Sequence, residues 1–85
     1  MKDLTYKNVI VFYTEDGGVW GNPAWIGDTM WGKVEIEQEP KEHGGGFFWW
    51  VEGGETARTD DIYYESAFDT LKGFYEYMMI GNIIL

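Results

Sequence analysis

The chain has no cysteine, one histidine, two prolines and only six basic residues among 85. Without cysteine neither a disulfide framework nor a thiolate metal site can form, and His43 alone cannot build a multi-histidine centre. The N-terminal apolar run, Val9 to Tyr13, is too short for a membrane span or the core of a secretion signal. These absences predict a soluble protein of a reducing cytoplasm, with no cofactor, no metal and no membrane association. Catalytic signatures are missing as well. No nucleophile–base pair can be drawn, and Gly44-Gly45-Gly46 lacks the lysine and hydroxyl of a phosphate-binding loop. An enzyme is not expected.

What the chain does have is acid and aromatic rings. Fifteen Asp and Glu against six Lys and Arg give a net charge of −9. A field of that sign repels nucleic acid and draws basic surfaces, so direct DNA or RNA binding is disfavoured. Five Trp, six Tyr and five Phe supply enough burial for a folded domain, and 85 residues leave room for only one.

The stretch from Lys33 to Glu52 organises the rest. Val34, Ile36 and Gln38 alternate with Lys33, Glu35, Glu37 and Glu39, the period of a strand with one wet and one buried face. Pro40 to Gly46 then makes a connection, since its proline stops the strand and its glycines permit reversal. In Phe47-Phe48-Trp49-Trp50-Val51 both alternating sets are apolar, which predicts a strand that is central and covered on both faces, or covered on one and exposed on the other for a partner, ended by Gly53-Gly54.

Upstream, Thr5 to Tyr13 reads as one strand, with Tyr6, Ile10 and Phe12 on one face and Val9, Val11 and Tyr13 on the other. Glu15-Asp16-Gly17-Gly18 suits a reversal. For residues 19–32 two readings compete. Asn22 caps a short helix with Pro23 at its first position, or Trp20 and Trp25 flank a turn that feeds a strand through Met30 to Gln38; the helix penalty of Gly27 favours a turn, or a single helical turn, leading into the strand. Downstream, Glu55 to Asp61 is a polar loop or the start of a helix. Ser66 to Met79 is the helix, with Ser66 and Asp69 at capping-box spacing, an apolar stripe of Ala67, Phe68, Leu71, Phe74, Tyr75 and Met78, and Gly81-Asn82 as its stop. The expected fold is α+β: an antiparallel sheet of three to four strands with one C-terminal helix packed on a face.

Three features bear on function. The acidic row Glu35, Glu37 and Glu39, with Glu42 in the following loop, stands at about 6.6 to 6.8 Å per alternate residue and can imitate a line of phosphates. Its plainer role is to keep an outer strand face solvated. Adjacent Trp49 and Trp50 must point to opposite faces, so Trp50 is a candidate contact for a partner even though rings in so small a domain serve mainly as core. Asp60, Asp61 and Glu65 do not match an EF-hand pattern, and acids ahead of a helix are favoured by its dipole without any metal.

GGFFWWVEGG, followed by acids and tyrosines, resembles in style the sheet segments of small acidic bacteriophage anti-defence proteins, the anti-CRISPR and DNA-mimic antirestriction proteins. Short length, acidity and lack of cysteine are shared with that type. The resemblance implies a non-catalytic inhibitor that acts in the host cytoplasm and binds a nucleic-acid-binding host complex at its basic groove, with Glu35, Glu37, Glu39, Glu42 and Trp50 as the contacts. Two other classes stay open: a self-associating module, a homodimer joined through Ile83, Ile84 and Leu85, and a small-ligand or carbohydrate binder using exposed tryptophans.

Overall fold

The computed structural model describes residues 2–18, 21–53 and 56–83. Among the described residues six strands follow one another in sequence order and pair antiparallel with their neighbours: β1 (Leu4–Tyr6), β2 (Val9–Thr14), β3 (Ala24–Thr29), β4 (Gly32–Gln38), β5 (Phe47–Gly53) and β6 (Thr56–Arg58). Strands β2 to β6 form a five-stranded sheet, and β1 extends it by pairing with the first half of β2. A helix, α1 (Ala67–Ile83), closes the chain. The class is α+β with the helix on the sheet, but the sheet is larger than the three to four strands expected.

Each added strand has a local cause. The segment read as one strand from Thr5 to Tyr13 breaks at Lys7-Asn8, where Lys7 takes a left-handed φ of 57° and the chain doubles back. Tyr6 pairs with Val9 and so joins the helix side, packing against Phe68 and Tyr75 at ring separations of 6.0 and 5.4 Å. Neither capped helix nor plain turn describes residues 24–29. They form β3, and Asn22 caps nothing; its amide donates to the Gln38 carbonyl at 3.2 Å. Gly27, read as a helix breaker, is needed because a Cβ there would lie 2.2 Å from the Ile10 carbonyl oxygen. Thr29 closes the β3–β4 hairpin: its hydroxyl accepts from the Trp31 N–H (3.1 Å) and donates to the Gly32 carbonyl (2.7 Å). The 56–58 segment is an edge strand, neither loop nor helix start.

Apolar alternation then sorts the residues. Val9, Val11, Val34, Ile36, Trp49 and Val51 point to one side and meet Ala67, Leu71, Phe74 and Met78 of α1. Phe74 anchors the contact, with its ring edge-on to Trp49 (5.1 Å) and Trp31 (5.7 Å). A buried side chain of that size contributes about 1.5 to 3 kcal/mol through burial alone. The helix touches β1, β4 and β5, so the sheet wraps around it.

Ser66 caps the helix as expected, accepting from the Asp69 N–H at 3.1 Å. Gly81-Asn82 does not stop it, and the helix continues to Ile83. Phe68, placed in the buried stripe, is 42% exposed, while Thr70 is buried and satisfies its hydroxyl on the Ser66 carbonyl at 2.7 Å. Gly73 is more than a local penalty, because a Cβ there would lie 2.1 Å from the Tyr64 hydroxyl. Trp20, Ile84 and Leu85 lie outside the described residues, and with them the expected dimer contact. Among the described residues no helix is long and apolar enough to cross a membrane.

Candidate functional site on the outer sheet face

The helix covers one face of the sheet, and alternation sends the other half of the strand residues to the opposite face. On β4 these are Lys33, Glu35 and Glu37. Glu35 stands opposite Trp50 on β5 and Ile26 on β3; Glu37 stands opposite Phe48 and Ala24. The acidic row therefore runs beside an aromatic row. Residues 60–64 lengthen that aromatic row. The Tyr64 and Phe47 backbones bond to each other in both directions, at 2.7 and 2.9 Å, and Tyr63 packs edge-on against Phe48 at 5.9 Å. Asp60 shapes this approach by accepting from the Ile62 N–H (3.1 Å) and the Tyr64 hydroxyl (2.6 Å). Burial and that carboxylate push the Tyr64 hydroxyl above the ordinary tyrosine range.

The row is not uniformly wet. Glu37 is fully buried: the Trp50 indole N–H donates to its Oε2 at 3.1 Å, and Gly18 of the β2–β3 connection lies over its Oε1 so closely that a Cβ would stand 2.8 Å away. The expected solvated face fails at this residue because the connection folds back across the sheet. A carboxyl enclosed in this way is costly unless its oxygens are bonded, and the indole supplies one such bond. Glu35 is half-buried and in side-chain hydrogen-bonding contact with Glu37. Burial first, then the Glu37 hydrogen bond and charge, push the Glu35 carboxyl up from 4.5 to about 7; Lys33 opposes the shift and Glu52 adds to it.

The remaining contacts named from the sequence divide. Glu39 sits at the end of the row facing the Tyr63 hydroxyl, whose pKa it raises. Glu42 is exposed in the 3-10 turn Lys41–His43 and shares no described contact with the row. Structure thus joins Glu35, Glu37 and Trp50 directly, places Glu39 beside Tyr63, and leaves Glu42 in the loop.

Sequence reasoning missed Phe12, Ile10, Phe48 and Tyr63 as parts of this face. Phe12 and Ile10 are 59% and 46% exposed on β2, and Phe12 pairs with Ile26. Their signal was present in the alternation of VIVFY, which already separates Ile10 and Phe12 from Val9 and Val11. Tyr63 had none, since only the bridge to Phe47 places it.

A groove of about 550 Å³ between the 60–65 segment and α1 is lined by Ile62, Tyr64, Asp69, Lys72, Gly73 and Tyr77. Among the described residues no group of acids and histidine is arranged to hold a metal ion. In comparisons with protein-family models, curated proteins and solved structures, the chain matches none.

Proposed function

We propose that the protein is a non-enzymatic inhibitor that binds the basic, nucleic-acid-binding surface of another protein through its outer sheet face. One observation carries the reading. The face opposite the helix bears exposed Phe12 and Ile10 and half-buried Trp50 and Phe48 alongside the carboxyls of Glu35 and Glu39, in a chain of net charge −9. Rings at such a face provide contact area, and the surrounding acids select a basic partner and speed its approach. The target class follows from the resemblance to bacteriophage anti-defence proteins: a host defence complex whose groove receives DNA or guide RNA.

Glu37 does not contact the partner in this reading. It is enclosed and holds Trp50 and the β2–β3 connection in place. Glu42 lies apart and contributes only to the field.

The test is capture from a bacterial lysate by the tagged protein, washed at low and high salt and challenged with duplex DNA or RNA, with a Phe12→Ser/Glu52→Lys double variant in parallel. The reading expects a nucleic-acid-binding complex that is released by salt, displaced by nucleic acid and lost with the variant. Capture indifferent to both nucleic acid and the variant contradicts it. Exposed Ile10 and Phe12 also favour a second reading, in which a second copy of this chain covers the face. Light scattering separates the two, because only self-association gives a dimer mass that the Phe12→Ser/Glu52→Lys variant abolishes.

A further inference from the structure

We infer that the basic partner docks through an arginine side chain seated over Glu35 and against the Trp50 ring, and that its positive charge takes over from the proton that Glu35 holds toward Glu37. The inference rests on reading the outer face as the surface for a basic protein.

The two carboxyls lie two residues apart on one strand face and contact each other. A hydrogen bond between two carboxyl groups needs a proton on one of them. Glu37 cannot turn outward to meet a cation, since the Trp50 N–H and the backbone around Gly18 enclose it. Glu35 can be reached. The charged groups that face it are Lys33 and Glu37 on its own strand and Glu52 on β5; β3 presents apolar Ile26, and α1 lies on the other side of the sheet. Two acids and one base surround it, so the position has an unmet demand for positive charge.

The neighbouring ring decides which cation fits. Trp50 stands opposite Glu35 and reaches with its indole nitrogen to Glu37, so the ring extends along the row between the two. A planar guanidinium can stack on an indole while its N–H fork meets a carboxylate, whereas an ammonium offers only a point charge. The exchange balances simply. One carboxyl O–H bond breaks at Glu35, its proton passes to solvent, and the guanidinium pairs with the Glu35 carboxylate that remains. With the Glu35 carboxyl raised to about 7, docking near neutral pH releases a proton, and affinity falls as the solution is acidified.

The experiment is calorimetric titration with hexa-arginine and hexa-lysine peptides at a pH of about 6.5, in two buffers of different ionisation enthalpy, on wild type and Glu35→Gln. Expected are release of roughly half a proton or more on hexa-arginine binding, and affinity at least about five-fold weaker both for hexa-lysine and for the variant. The variant should release no proton. Carbon-13 titration of the Glu35 carboxyl in wild type, with and without hexa-arginine, provides a reading that needs no variant, and its apparent pKa should fall on binding. Equal hexa-arginine affinity in the variant with no proton release overturns the inference and leaves the basic-partner reading intact. Hexa-lysine that binds and releases protons equally well overturns the arginine seat. Failure of both peptides to bind overturns both.

Discussion

Trp49 and Trp50 are neighbours in the chain and sit in opposite environments. Trp49 is fully buried against Phe74, and its indole N–H, near the Tyr64 hydroxyl, has no acceptor at hydrogen-bonding geometry. Trp50 is half-buried and spends its N–H on a carboxylate. The inner face thus tolerates an unbonded polar atom for the sake of packing, whereas the outer face places polar and aromatic groups in direct partnership. A face built for packing has its cost in volume, and a face built for contact has its cost in charge.

This contrast sets the order of expected effects. Phe74→Ala should be the most damaging change, destabilising by about 3 to 5 kcal/mol in urea unfolding, because it leaves a cavity against Trp49 and Trp31. Gly73→Ala comes next, at about 1 to 3 kcal/mol, since the Tyr64 hydroxyl occupies the space its methyl would take. Adding Tyr64→Phe removes the nearest atom and should recover part of that loss; no recovery in the double variant would assign the strain to the ring carbons, which stand 2.3 and 2.7 Å from the added methyl. Ser66→Ala should cost about 1 kcal/mol through the lost helix cap, with no change on the outer face.

Glu35→Gln should have the smallest effect, visible mainly in pH dependence. The folded protein holds the Glu35 proton more tightly than the unfolded chain, so its contribution to stability is fully present below 4.5 and is lost as pH rises toward about 7. Solvent at this half-exposed group reduces the size of the effect. Urea midpoints measured across that window should decline less steeply with pH in Glu35→Gln than in wild type. Parallel declines would assign the proton to another group.

The same contrast explains what could be read from the chain. Alternation in KVEIEQ, the capping pair Ser66 and Asp69 and the stripe of α1 follow from local periodicity, and they produced the central hairpin and the helix. Opposite orientations for Trp49 and Trp50 followed from the strand period alone. Strands β1 and β3 did not, because they depend on the two-residue reversals at Lys7-Asn8 and Met30-Trp31, where no Asn-Gly or Asp-Gly pair marks the turn. Burial of Glu37 was also hidden. It arises when Gly18, distant in sequence, folds over Glu37 of β4, and strand periodicity carries no information about such a cover. Tyr63 enters the site only through the Tyr64–Phe47 bridge, a pairing of the same non-local kind.

The most direct test of the outer-face account is an NMR titration that follows the two neighbouring indole N–H signals during addition of hexa-arginine. The account predicts that the Trp50 signal moves on binding while the Trp49 signal stays in place. Movement of Trp49 with Trp50 unmoved, or no movement of either, would contradict it.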